Sequence, residues 1–288
     1  MARVIAPSAQ KGGVGKTTMS VQGALATAVK LSARTLLIDV DPQGNSSGSF
    51  LTPEDRAAHP EVSASALYVD NSNLKPIPGK YGVDVIPGDD GINAFPQELS
   101  GTTIQEIIGS LSDDASANDI ISGVVDEQLI AFVKNVQQFK AQYDYIWIDT
   151  PPSFLGLPLI SALCAATDVV SVLEPTKFSS DVIDSFIDKV STVKEQYNPS
   201  LTFHGFVINK LRATSERHKN TADQWLAEYP EFFLGTSIKV NSWIEATTED
   251  GEPVWKKASN EHRKKGARNL LSALGEFIPE LQEVTENV

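Results

Sequence analysis

The stretch QKGGVGKTTMS, Gln10 to Ser20, decides the fold. A phosphate-binding loop of the form G-x-x-x-x-G-K-[ST] closes on Gly-Lys-Thr, supplied here by Gly15, Lys16 and Thr17, while Gln10 occupies the place of the first glycine. Gly12 and Gly13 let the backbone turn its N–H groups inward onto an anion, and a helix opening at Thr17 adds the partial positive charge of its N-terminus. Lys16 then reaches the β- and γ-phosphates of a nucleotide, the Thr17 hydroxyl sits on Mg²⁺ and Thr18 is placed for the α-phosphate. A glycine-rich turn before a helix is often only a turn, so the surroundings must carry the reading. The stretch also holds one lysine, Lys11, more than such a loop needs.

Outward from the loop, short apolar runs recur as RVIAPSA, TLLIDVD, GVDVIPG, YDYIWIDT, DVVSVLEPT and FHGFVINKL. Most are apolar on consecutive positions, as strands buried on both faces are. Between them Val21, Ala24, Leu25, Ala28 and Val29 fall at helical spacing, as do Val182, Ile183, Phe186, Ile187 and Val190. Strand alternating with helix implies an α/β fold, a doubly wound, mainly parallel sheet flanked by helices, read as one domain over residues 1–288. Residues 52–80 are the least regular, rich in Pro, Ser and Asn. The polar SLSDDASANDIISG then loops or caps before a helix expected at about 124–141. The segment SNEHRKKGARNLLSALGEFIPEL reads as an amphipathic helix with Leu270, Leu271, Leu274, Phe277 and Ile278 on one side. No internal repeat, low-complexity tract or interdomain linker is visible.

Composition narrows the function classes. A formal net charge of −13 argues against wholesale polyanion binding, so any nucleic-acid contact must be local. The single cysteine, Cys164, forms no intrachain disulfide and furnishes no zinc or iron–sulfur site alone, which fits a reducing cytoplasm. No apolar run approaches the roughly 20 residues needed to cross a bilayer, so no membrane association is expected.

TLLIDVDPQGN and YDYIWIDTPPS each end a buried strand in aspartate, where an open parallel sheet places its ligand groups. Asp149 is placed for the Mg²⁺ shell through water, and Asp39 and Asp41 flank the same site. With KGGVGKTT, LLIDVDPQGN and YDYIWIDTPPS in this order, the sequence resembles the ParA/MinD family of deviant Walker P-loop ATPases, and DPQGN resembles its ParA partition branch. The resemblance implies ATP/ADP and Mg²⁺ as ligands, with residues Gly12, Gly13, Val14, Gly15, Lys16, Thr17 and Thr18 cradling the phosphates and Thr17, Asp39 and Asp149 around the metal. It makes Lys11 a signature lysine that crosses to the nucleotide of the second subunit in an ATP-bound homodimer, as an arginine finger does in trans. It makes Lys16 the lysine of its own subunit's phosphates and Asp41 the residue that positions the attacking water. Asp41 equally suits an Asx turn before Pro42.

In the second half, Asn209 ends a buried strand where the family's residue approaches adenine, since an amide offers a donor and an acceptor to the base edge; a loop cap would use it as well. The surrounding sequence departs from the MYDAR-type segment of partition ATPases. Glu245-Ala246 and Gly251 to Val254 match the family's EA…G.PV pattern. Within 251–268 six basic residues, Lys256, Lys257, Arg263, Lys264, Lys265 and Arg268, face only two glutamates. Such an island is either a solvated helix face or a contact to DNA phosphates that reads no base; the resemblance favours the second, with Arg212, Arg217 and Lys219 extending it. The expectation is a DNA-partition ATPase that cycles between a DNA-bound ATP dimer and a released ADP monomer, stimulated by a ParB-like centromere-binding protein and localised to the nucleoid. No helix-turn-helix extension is expected before the first strand. The rivals are a MinD-like membrane ATPase, disfavoured by the acidic PELQEVTENV ending, and a metabolic ATP-dependent ligase on the same fold.

Overall fold

The computed structural model describes residues 2–9, 11–70, 73–95, 117–152, 156–176, 180–256 and 258–283. Gln10 and Lys257, both singled out above, lie outside the described residues. The apolar runs form the strands β1 (Arg3–Ser8), β2 (Thr35–Asp39), β4 (Val83–Ile86), β5 (Tyr145–Asp149), β6 (Asp168–Leu173) and β7 (Thr202–Ile208). A two-residue strand, β3 (Ile77–Pro78), pairs antiparallel with β4 at the edge. The sheet order is β3-β4-β2-β5-β1-β6-β7, and every other pairing is parallel. Every residue of β2, β5 and β6 is buried, which accounts for their unbroken apolar runs.

The connections supply the flanking helices: α1 (Lys16–Leu25), α2 (Asn45–Phe50), α3 (Pro53–Ala58), α4 (Ala117–Phe139), α5 (Leu157–Ala165), α6 (Ser180–Gln196), α7 (Glu216–Glu228), α8 (Ser242–Glu249) and α9 (Glu261–Gly275). Ile183, Phe186 and Val190 on α6 are buried at the expected spacing, whereas Val29, past α1 in a π turn, is 39% exposed. Helix α4 begins about two turns before the expected 124, so part of the polar stretch assigned to a loop is helical. Ile120, Ile121, Val124 and Val125 continue a helical repeat through it. On α9, Leu270, Leu271 and Leu274 are buried, and Phe277 and Ile278 follow them into the core after the helix ends.

What positions the site is register. Asp39 and Asp149 are paired residues at the carboxyl ends of adjacent strands β2 and β5. Beside them β1 hands the chain to the glycine loop and α1.

Candidate functional site

The loop between β1 and α1 is built as an anion cradle. Gly13 (φ 78°) and Gly15 (φ 102°) lie in the left-handed region, and a Cβ on Gly15 would overlap the Asn209 amide, so no other residue fits there. Val14 between them is buried and anchors the loop. Gly15 precedes α1 without a side-chain cap, and the first turn carries no acidic residue, leaving its N–H donors for a ligand. Lys11, Gly12, Gly13, Gly15, Lys16, Thr17 and Thr18 all line one cavity of about 700 Å³. That volume is in the usual range for small-molecule sites.

Lys16 is 6% exposed and Asp149 fully buried, with Lys16 Nζ 3.2 Å from Asp149 Oδ1. Thr17 Oγ1 donates to Asp149 Oδ2 at 3.0 Å, and Ser20 Oγ donates to Oδ1 at 2.9 Å. Ser20 was not singled out from the sequence. Its signal was spacing, since three residues after Thr17 and four after Lys16 place it on the same helix face.

The second wall comes from the turn after β2. Asp39 is fully buried; its Oδ1 accepts the Asp41 N–H, and its Oδ2 accepts both the N–H and the hydroxyl of Ser47, each at 2.8 Å. Burial, then the neighbouring Asp149 charge, push the Asp39 carboxyl up to about 6 despite the Ser47 bonds. Neither Asp39 nor Asp149 lines the cavity; Asp39 in particular is spent on the turn and the first turn of α2. Asp41 does line it, together with Gln43, Asn45, Gly48 and Ser49. Burial raises the Asp41 carboxyl, while the Gln43 N–H bond at 2.9 Å and the Lys16 charge pull it back. The Asx-type bond expected for Asp41 is therefore present, on a side chain that also faces the cavity.

The last wall is Lys210, Glu245, Thr248 and Glu249. Lys210, in a left-handed conformation at φ 54°, pairs with Glu245 at 2.8 Å. Asn209 is buried behind the loop, its Nδ2 donating to the Val14 carbonyl at 2.7 Å. The donor set fits a magnesium nucleotide: loop N–H groups and Lys16 for phosphate oxygens, and the Thr17 hydroxyl beside Asp149 for the cation.

The basic island is divided. Lys256 sits against Tyr81, its Nζ 2.6 Å from the phenol and 3.8 Å from Glu252. Arg263 stacks over Trp243 at 4.2 Å, and Arg268 pairs with Glu261 at 3.4 Å. Lys264 is half-buried and Lys265 exposed. Lys265 lines a second cavity of about 420 Å³ with Arg212, Lys239 and His262, and among the described residues no carboxylate lines it. Lys239 carried no sequence signal; it is a lone basic residue between the Arg212–Lys219 group and the island. No helix among the described residues is long and apolar enough to cross a membrane.

Comparison with known proteins identifies the family. A family model described as an AAA domain matches residues 2–203. The sporulation initiation inhibitor protein Soj of Bacillus subtilis is 28% identical over 262 residues, covering 88% of this chain and 90% of that protein. Among solved structures, a plasmid partition protein of Borrelia burgdorferi superposes with a TM-score of 0.63 at 20% identity, covering 97% of this chain and 99% of that one. The cobyrinic acid a,c-diamide synthase of Mycobacterium smegmatis, with ADP and magnesium bound, gives 0.65 at 22% identity, covering 87% and 91%. Both structures share the fold at identities that carry nothing further. With its glycine loop, strand-end aspartates and this match over most of its length, the chain belongs to the AAA domain family, as a P-loop ATPase of the ParA/MinD type.

Proposed function

We propose that the chain is a partition ATPase: a homodimer with ATP between its subunits binds DNA without sequence preference, and a ParB-like centromere-binding partner stimulates hydrolysis and release on the nucleoid. The observation that carries this reading is the division between two lysines of one cavity. Lys16 is buried against Asp149, whereas Lys11 is exposed at the rim, where it can reach a second subunit's nucleotide. Bound Mg²⁺ would supply charge neutralisation of the phosphates, with Thr17 as its ligand and Asp149, backed by Asp39, holding its water shell. Gly12 to Thr18 orient the phosphates. Asp41 holds the attacking water, taking its proton or orienting it from the opposite wall. With one Nδ2 hydrogen donated to the Val14 carbonyl, Asn209 still has its amide oxygen to accept from the adenine amine.

The partition role draws support from the names of similar proteins, which include chromosome partitioning protein ParA of Myxococcus xanthus, 28% identical over 231 residues. DNA contact draws support from the cluster Arg212, Lys239 and Lys265, whose cavity has no carboxylate among its described lining residues, with Lys264 beside Lys265 on α9. These cations would meet phosphates and no base edges, and a dimer doubles them.

The test is binding of random-sequence duplex DNA with ATP, with ADP and without nucleotide at two salt concentrations, alongside Lys11→Ala. Binding that requires ATP, weakens with salt and disappears in Lys11→Ala while nucleotide affinity persists is the expected result. A Lys11→Ala protein that still dimerises with ATP and hydrolyses it normally would show that Lys11 does not act across an interface.

A further inference from the structure

Helix α3, Pro53–Ala58, buries none of its six residues. Apolar packing therefore does not explain its place, since most helical stability in proteins comes from a buried face. A capping box at Thr52 and Asp55 holds its start: Asp55 N–H donates to Thr52 Oγ1 at 3.1 Å, and Asp55 Oδ2 accepts the Thr52 N–H at 2.8 Å. From this helix Arg56 reaches back over the turn that follows β2. Its Nη2 donates to the Gly44 carbonyl and to Ser47 Oγ, both at 3.0 Å. Among the described residues no carboxylate lies within ion-pair distance of Arg56. A half-buried guanidinium is thus committed to one carbonyl and one hydroxyl.

Those two acceptors are the joints of the turn. Gly44, left-handed at φ 62°, reverses the chain between Asp41 and α2, its N–H donating to the Asp41 carbonyl at 3.0 Å. A Cβ on Gly44 would come within 3.0 Å of Arg56 Nη1, so the glycine also makes room for the fork. Ser47 passes the contact on, donating to Asp39 Oδ2 at 2.8 Å. Arg56 so closes a chain from α3 through Ser47 to the end of β2, with Asp41 inside the loop it closes.

We infer that Arg56 is a positioning residue for the reaction of the main cavity: its guanidinium holds the turn from Asp41 to Ser49 in the shape that presents Asp41. The inference rests on the proposed hydrolytic function for its consequence, but not for its geometry. An arginine suits the task because the two N–H bonds of its planar Nη2 point in fixed directions, one to each acceptor, whereas a lysine ammonium is a rotating point charge on a shorter stem.

Two variants, Arg56→Met and Arg56→Lys, test it. In both, kcat for ATP hydrolysis should fall about tenfold or more, the worth of one charge-assisted bond, with KM for ATP within about twofold. Millimolar guanidinium should partly restore Arg56→Met and leave the wild type unchanged. In nucleotide-free protein, amide exchange at Gly44 and Ser47 should quicken while β1 and β5 exchange as before. Unchanged exchange at the turn would overturn the inference. So would faster exchange across the whole sheet with kcat and Tm falling together, which marks a merely structural residue. If the wild type hydrolyses no ATP, the functional reading fails, and the exchange measurement still decides the role of Arg56.

Discussion

Replacing Lys16 with Met in nucleotide-free protein removes the ammonium that pairs with the buried Asp149 carboxylate while keeping most of the aliphatic stem. Lys16 is 6% exposed and Asp149 fully buried, so little solvent replaces the missing ammonium. Breaking a buried pair from one side costs about 3–5 kcal/mol; Asp149 keeps the Thr17 and Ser20 hydroxyls, which puts this loss near the lower end, about 3 kcal/mol. At roughly 2–4 °C per kcal/mol for a chain of this size, Tm should fall by about 6–12 °C. The loss should depend on pH. Asp39, paired in register with Asp149, has its carboxyl raised from 3.8 to about 6 by burial and then by the Asp149 charge. A raised carboxyl contributes stability that is complete below its unfolded value and lost as pH rises through its folded value. Without Lys16 the two carboxylates repel each other uncompensated, and a proton on Asp39 relieves that repulsion. Lys16→Met should therefore lose less stability at pH 5 than at pH 8. Urea unfolding at both pH values, with Asp149→Asn and the double variant completing a cycle, measures the pair. An unchanged midpoint in Lys16→Met, or a loss that is equal at both pH values, would refute the reasoning.

At the opposite end of the sheet, burial alone would raise Asp168, but hydrogen bonds from His204 and Arg3, each 2.6 Å, and from Thr167 hold its carboxyl well below the usual range. A depressed carboxyl contributes stability above its unfolded value that is lost as pH falls toward its folded one, so wild-type stability should drop below about pH 4. Asp168→Asn should cost about 2 kcal/mol at pH 7, with Arg3 partly exposed, and should flatten that acid limb in urea titrations. For DNA, Lys265→Glu combined with Arg212→Glu should weaken ATP-dependent binding uniformly across sequences and reduce its salt slope by about one for each phosphate no longer neutralised, measured by anisotropy. An unchanged slope would return these side chains to an ordinary solvated surface.

Much of the site is legible in the sequence because its residues are local signals. Gly15-Lys16-Thr17 is a contiguous loop, and Asp39 and Asp149 end apolar runs whose continuity reports burial on both faces. The pairing of those two aspartates follows from strand order, which the runs alone do not state. What stays hidden is long-range. Arg56 is an unremarkable residue in a polar stretch, and its role exists only because α3 folds back over Gly44. Lys239 joins Arg212 and Lys265 through a connection that leaves no periodic trace. Strand β3 has two residues, one of them proline, and so carries no alternation to detect. Helix α4 starts earlier than its sequence suggests because Asp, Asn and Ser favour caps and turns locally, and a longer apolar repeat overrides them.

The ion pair between Lys16 and Asp149 also constrains how tightly any phosphate can bind. Lys16 is the loop's own cation, yet here it is engaged with Asp149, so an anion entering the cradle competes with a carboxylate for the same ammonium. Removing Lys16 from Asp149 exposes a buried negative charge to its neighbour Asp39, which is already reluctant to ionise. Phosphate alone therefore meets an opposing cost that a divalent cation beside Thr17 and Asp149 would offset, because it restores positive charge where the ammonium was. Affinity for nucleotide should accordingly depend more steeply on magnesium than affinity for a loop whose lysine stands unpaired. Asp149→Asn, which removes the competing charge, should make nucleotide binding less dependent on the cation even as it weakens the cation's own site. Calorimetric titration of ADP with and without magnesium in the two proteins separates these effects, and an equal magnesium dependence in both would mean that Lys16 and Asp149 do not compete.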